Sequence, residues 1–279
     1  MMYDLHVHTT ASDGTDTPEE VIMHALEAGL GGMAITDHDT VNGLEIAIKF
    51  IEDRGIEIDF IPGIELNTDY KNDEVHILGY YIDFNNEDLK QRLLEIRNQR
   101  YGRAEKIVAK LKGMGISINF DEVRLLARGN LIGRPHIARV LCQKGYTLSL
   151  EEAFEKYIDR GKPAYVPRYK FHPSEAISLI KQCGGLAILA HPGLIKKYET
   201  INDVIKMGID GLETYYPEHS KEQIFELTKL AADNKLLTTG GSDYHGLDSS
   251  ESRSQLGSAG IDKDIMNRIR EYYRENMKK

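Results

Sequence analysis

Thiols are scarce in this chain of 279 residues, which has only two cysteines, Cys142 and Cys183. That number makes no disulfide framework and no thiolate zinc site. Basic charge is in deficit as well: 35 Lys and Arg stand against 44 Asp and Glu, for a net charge of -9. Proteins that hold long nucleic acid non-specifically carry the opposite balance, so long duplex is not an expected partner. A small anion held in a locally positive or metal-loaded pocket is still compatible. Long apolar runs are also missing, since no stretch approaches the roughly 20 residues that span a bilayer. The N-terminus enters a strand-like run at once and carries an acid at Asp4, unlike a secretory leader. The expectation is a cytoplasmic protein with no membrane partner.

What is present is a core, with 41% hydrophobic residues, and a rhythm. Thr17-Pro18-Glu19-Glu20 reads as a capped helix start. Short apolar strands are expected at Met1–Leu5, Gly32–Thr36, Ile58–Pro62, Val75–Ile82, Leu186–Ala190, Gly211–Tyr215 and Leu236–Thr239, with helices between most of them. This is an α/β pattern suited to a parallel sheet or barrel. From Glu87 to about Tyr157 the pattern is helical only. The chain therefore divides into a barrel, 1–85 and 162–279, and a helical insertion, 86–161.

The ends of the strands carry the chemistry. In α/β barrels and sheets, active sites gather at the carboxyl ends of the strands. Those ends hold His6 and His8, Asp37-His38-Asp39, Glu65, His76, His191, Glu213-Thr214-Tyr215, and Asp243 with His245. The ordinary roles of such residues are to cap a helix or to sit on the surface, and His24, His172 and His219, in or before helices, are assigned to them. Six groups at successive strand ends (His6, His8, His38, His191, Asp243 and His245) point instead to metal ligation. Donors that are all nitrogen and oxygen suit Zn, Mn or Fe. Their number exceeds what one ion needs, so two or three divalent ions are expected. Asp37 and Asp39 are candidates for orienting ligand imidazoles.

These motifs, Asp4-Leu5-His6-Val7-His8, Thr36-Asp37-His38-Asp39, Gly63-Ile64-Glu65, Ala190-His191-Pro192 and Ser242-Asp243-Tyr244-His245, resemble in order those of the PHP (polymerase and histidinol phosphatase) metallophosphoesterase family. The resemblance implies a distorted seven-stranded (β/α) barrel with a trinuclear metal site. Carried over by motif, His6, His8, Glu65 and Asp243 would hold one ion, and Glu65 would bridge to a second held with His76 and His191. His38, His245 and Asp13 would hold the third. Many relatives carry a His where this chain has Asp13, which also fits a simple turn before Gly14.

Asn130-Leu131-Ile132-Gly133-Arg134-Pro135-His136-Ile137-Ala138-Arg139 resembles an element of the family's nucleotide-phosphatase branch, which includes phosphatases of 3′,5′-nucleoside bisphosphates and AMP, and 5′→3′ exoribonucleases. An Arg fork at a helix start is a good phosphate partner, and so Arg134 and His136 are expected in substrate binding. Lys162 and Arg168, in a loop similar to a second element of that branch, are further candidates. The expected activity is hydrolysis of a nucleotide phosphate or a short 5′-phosphorylated oligoribonucleotide by a metal-bridging water, with His219 or His136 as candidate acids. The insertion would be a substrate-binding cap. The alternatives are a histidinol-phosphate phosphatase of the same family and a metal-dependent amidohydrolase.

Overall fold

The computed structural model describes residues 1–71, 73–127, 131–167, 169–246 and 255–276. Arg128, Asn130 and Arg168 lie outside them. Strand β1 (Met2–Val7) leads through α1 (Pro18–Glu27) to β2 (Gly32–Ile35), and α2 (Asn42–Arg54) leads to the hairpin β3 (Asp59–Tyr70) and β4 (Asp73–Tyr80). The helices α3 (Glu87–Gly113), α4 (Phe120–Leu126), α5 (Arg134–Gln143) and α6 (Leu150–Ala153) follow, and α6 continues into a π turn over Phe154–Ile158. Then come α7 (Pro173–Gln182), β5 (Leu186–Leu189), α8 (Tyr198–Lys206), β6 (Gly211–Tyr215), α9 (Lys221–Asp233), β7 (Leu237–Gly240), β8 (Ile261–Asp262) and α10 (Lys263–Asn276). Thr17 caps α1 through the reciprocal bonds with Glu20 that the sequence implies.

The strands form one sheet in the order β7-β6-β5-β4-β3-β2-β1-β8. It nearly closes on itself, because His8 N donates to Tyr244 O at 2.8 Å just beyond β7. The seven expected strands are present, and β8 adds two residues antiparallel to β1. The expected parallel order is broken in the middle, where β4 runs antiparallel to both β3 and β5.

This hairpin corrects one expectation about the strand ends. Glu65 and His76 are not at the ends of short strands. β3 continues to Tyr70, far beyond its last pairing with β2 at Pro62, because the antiparallel ladder with β4 runs from Gly63–Tyr80 to Tyr70–Asp73. An antiparallel partner supplies ladder bonds where the parallel one has stopped, so Glu65 and His76 lie within a rigid two-stranded extension.

Two apolar clusters make the barrel. One, with Val21, Ile22, Leu44, Ile64, Ile77, Leu189 and Leu212, lies between the strands and the helices around them. The other uses alternate strand residues, such as Tyr3, Leu5, Leu78, Tyr80, Leu186 and Ile188, with Met266 and Ile269 of α10 packed against them. The segment between β4 and β5 has a third cluster of its own, including Ile107, Leu111, Val123, Ile137 and Leu141. The long helix α3 contributes to two of these clusters. Its first half places Leu89, Leu93 and Ile96 in the first, and its second half enters the third at Ala104. Among the described residues no helix is long and apolar enough to cross a membrane.

Candidate metal centre

β1 delivers the first two imidazoles through an irregularity. Its pairing register with β2 shifts between Asp4 and Val7. Before the shift Tyr3 and Leu5 pack in the inner cluster; after it Val7 packs in the outer one. A regular strand would have kept these three residues on one face, so the shift is what re-aims this end of the strand. His6 and His8 are left fully buried, with ring centroids 5.1 Å apart.

Around them three groups of potential ligands converge, each with its donor atoms within 4.8 Å of one another. The first is His6, His8, Glu65 and Asp243: His6 Nε2 lies 3.3 Å from both Glu65 Oε2 and Asp243 Oδ1, and His8 Nε2 lies 3.2 and 3.1 Å from the same oxygens. The second is His38, Glu65 and His76. His191 adjoins it, its Nε2 3.3 Å from Glu65 Oε1. The third is His8, Asp13, His38 and His245, with His245 Nε2 3.5 Å from Asp13 Oδ1. All nine residues expected as metal ligands are thus brought together. The grouping differs from the expected one in that His8 and His38 are each shared between two groups.

These residues fit metal ions. His6 Nε2, both ring nitrogens of His8, Asp13 Oδ1 and Glu65 Oε2 are buried atoms without a hydrogen-bond partner. Orphaned polar atoms are costly, and a cation at their focus would satisfy them. Without one, protons bear the balance. Burial alone would push the His6 pKa down, but Glu213, Asp243 and Glu65 raise it well above the usual range. Against the same penalty, Asp243 and Glu65 lift His8 to about 10, and Glu65 lifts His76 to about 9. Burial would raise Glu65, Asp243 and Asp13, but the facing imidazoles hold all three carboxyls well below the usual range.

Outside the cluster, acids fix its members. Glu213 of β6 is fully buried, with Oε1 2.9 Å from His6 Nδ1 and Oε2 accepting from His191 N at 2.7 Å. Sequence reasoning saw Glu213 only as one more acid at a strand end. Tyr216, which it missed, donates to Asp243 Oδ2 at 3.0 Å. Asp37 does not orient an imidazole through its side chain: it accepts from Thr9 N, Thr9 Oγ1 and Ser12 Oγ, and so pins the loop that carries Asp13. Asp4 likewise holds backbone, accepting from His6 N, Ser242 N and Gly257 N. Asp39 binds Asn67 through Asn67 N and Nδ2 (3.0 and 3.1 Å), and Asn67 Nδ2 lies 3.1 Å from His38 Nδ1. Arg100 of α3 pairs with the buried Asp39 carboxylate from the other side.

A cleft of about 860 Å³ adjoins the cluster, where basic side chains such as Arg103, Arg134, Arg160, Lys170 and Lys196 outnumber the acids Asp69, Asp73, Glu74 and Asp159, with Tyr70 and Tyr165 beside them. Glu74 joins the two, as its Oε1 lies 3.3 Å from His76 Nε2 and its Oε2 3.5 Å from Arg134. Arg134 also reaches Asp159 at 3.5 Å. His136 is buried behind Arg134, with Nδ1 accepting from Gly133 N at 3.0 Å, and burial pushes its pKa down to about 4. Lys162 is exposed in the turn after Asp159 and does not line the cleft.

His219 is not the surface group expected. It is buried, Nδ1 lies 3.0 Å from Thr214 O, and Nε2 accepts from Gly193 N at 3.0 Å. Nδ1 is tied to β6 and Nε2 to the turn after His191, which leaves neither to protonate a leaving group. His172 caps α7 as expected.

The PHP domain model matches residues 4–276. A 5′-3′ exoribonuclease Rnm of Escherichia coli is 35% identical over 253 residues, 88% of this chain and 85% of that protein. A 3′,5′-nucleoside bisphosphate phosphatase of Chromobacterium violaceum is 34% identical over 87% of this chain and 86% of its own length. A solved structure from Bifidobacterium adolescentis, provisionally described as a metal-dependent phosphoesterase, superposes with a TM-score of 0.86 at 32% identity, covering 96% of this chain and 94% of that one. With the barrel and the convergent imidazole–carboxylate cluster, these matches make the chain a member of the PHP domain family of metal-dependent phosphoesterases.

Proposed function

We propose that this protein removes phosphate from nucleotides, with a 3′,5′-nucleoside bisphosphate or AMP as the primary substrate, and that the same site cleaves short 5′-phosphorylated oligoribonucleotides. The observation that carries this is the chain of contacts from His76 through Glu74 to Arg134, which joins the metal-type cluster to a basic cleft. One end offers a centre for phosphoryl chemistry, and the other offers charge and aromatic surface for the rest of a nucleotide. The two curated relatives named above act, by their names, on RNA and on a nucleoside bisphosphate.

In this reading two or three divalent ions, of Mn, Fe or Zn, are held by His6, His8, Glu65 and Asp243, by Glu65 with His38, His76 and His191, and by His8, Asp13, His38 and His245. Bound there, they would supply Lewis-acid charge and activated water. The protein's own part is placement. Arg134 turns its fork from Glu74 and Asp159 to the substrate phosphate, a bidentate geometry that Lys cannot copy. Segment 86–161 acts as the substrate-binding cap of the barrel formed by 1–85 and 162–279. The acidic balance of the chain favours short substrates over long duplex, and the cytoplasm is where such nucleotides arise.

The test is phosphate release by the Mn-loaded protein, with a 3′,5′-nucleoside bisphosphate and histidinol phosphate compared in parallel. Preference for the nucleotide is expected. Preference for histidinol phosphate would keep the metal centre but remove the substrate assignment, and release from neither would reject both substrates while leaving the metal centre to be judged by metal binding.

A further inference from the structure

The insertion does more than face the metal centre, since it touches the two loops that carry half of one ligand group. Arg139, on α5, donates from Nη2 to the carbonyl oxygen of Asp13 at 2.9 Å. Arg100, on α3, donates from Nε to Asp39 Oδ2 at 2.9 Å, and Asp39 holds Asn67 against His38 Nδ1. Asp39 is 2% exposed and sits at φ 49°, a left-handed conformation that a non-glycine residue keeps only when its surroundings hold it. Asp13 and His38 belong to the same group, with His8 and His245. The group of His6, His8, Glu65 and Asp243 connects less directly, through His8, which the two groups share, and through the backbone of Glu65, which pairs with that of Asp37 and Asp39 (Asp39 N to Glu65 O 2.8 Å, Glu65 N to Asp37 O 3.2 Å). Its braces, Glu213 and Tyr216, come from β6 and the loop after it.

We infer that the ion position formed by His8, Asp13, His38 and His245 is assembled jointly by the barrel and the insertion. Arg100 and Arg139 are its positioning residues. Occupancy of that position is therefore coupled to docking of the insertion, and the position formed by His6, His8, Glu65 and Asp243 is coupled to it more weakly. Such coupling is reciprocal by linkage: whatever tightens the docked insertion tightens the ion, and the ion tightens the docked insertion. The inference rests on the metal assignment proposed above. It adds that a substrate gripped by Arg134, on the same helix as Arg139, would favour a filled third position.

The experiment uses the full chain, stripped of metal and titrated with Mn²⁺, with bound metal measured by elemental analysis after dialysis. Arg139→Met and Arg100→Met should each lose about one ion per chain relative to the unaltered protein, through roughly 10–100-fold weaker binding at one position, the scale found for groups that support ligands. Arg139→Lys, which keeps a donor for the carbonyl, should recover part of the loss. Equal ion counts and affinities in all four proteins would overturn the inference. An unaltered chain that binds no Mn²⁺ would overturn the metal assignment with it.

A second measurement leaves the insertion intact. Amide hydrogen exchange in residues 134–143 should slow on adding Mn²⁺ to the unaltered protein and should slow less in Asp13→Asn. Protection of that helix to the same extent in both proteins would count against the coupling, even if both bind metal.

Discussion

Glu213 and His6 face each other across 207 residues of sequence, with Oε1 of the acid 2.9 Å from Nδ1 of the imidazole and neither residue exposed. The other oxygen of Glu213 accepts the backbone N–H of His191, which sits at φ 28°. One carboxylate thus fixes the ring of one ligand and the strained backbone of another. Glu213→Gln keeps the shape and an acceptor but removes the charge. It should weaken Mn²⁺ binding about 10–100-fold and lower turnover accordingly. A metal titration reads this directly, and an unchanged affinity would show that the contact only packs.

Asp243 is placed to matter more, because its Oδ1 lies within 3.3 Å of both His6 and His8. Asp243→Ala should abolish phosphate release and lower metal content by at least one ion per chain. Tyr216→Phe, which removes only the donor to Asp243 Oδ2, should cost less than about 10-fold, since a single hydrogen bond is worth roughly 0.5–1.5 kcal/mol. Full activity in Asp243→Ala would end the metal assignment.

Arg134 tests the substrate reading separately. Its fork sits between Glu74 and Asp159 at 3.5 Å from each. Those contacts are long enough for a phosphate to displace them. Arg134→Ala should raise KM about 10–100-fold with a smaller change in kcat, given roughly 1.5–3 kcal/mol for a hydrogen bond to a charged group. Steady-state kinetics on the nucleoside bisphosphate would reject the role if KM and kcat both stayed put.

The cluster also predicts how pH acts on metal binding. His8 and His76 are raised to about 10 and about 9, while an unfolded His titrates near 6.5. Their contribution to the stability of the metal-free protein is present in full below pH about 6.5 and fades as pH rises toward those folded values. Metal competes with the same protons, so its affinity rises over the same window. The Tm of the stripped protein should fall from pH 7 to 10 while the increment from added Mn²⁺ grows. An increment independent of pH would refute the proton competition.

Much of this protein was legible because its signals are local. The capping box at Thr17 needs only residues three apart, and imidazoles beside short apolar runs mark a site. The antiparallel hairpin was harder to see. Ile64, Leu66, Val75 and Ile77 look alike in either strand direction, so nothing in the sequence says that β3 continues past Pro62 to carry Glu65 into the sheet. His219 was misplaced for a related reason: its burial depends on Thr214, in β6, and Gly193, in the turn after His191. Asp37 was read as a partner for imidazoles, and only the fold shows its carboxylate turned to Thr9 and Ser12. Arg100 could not be singled out at all, because α3 is a 27-residue polar helix in which it looks no different from Arg97 or Arg103.

The sequence by itself determined which donors exist and where along the chain they fall: nitrogen and oxygen ligands beside short buried strands, with no thiolates to compete. It did so because residue type and strand period are local properties. Tertiary structure decided how those donors are shared beyond the Glu65 bridge that the motifs implied, with His8 and His38 each common to two groups. It also decided which acids hold imidazoles and which hold loops, and that Arg100 of α3 and Arg139 of α5 reach the centre. These are contacts between segments tens to hundreds of residues apart, fixed by barrel closure and by packing of α3 and α5 rather than by any nearby residue.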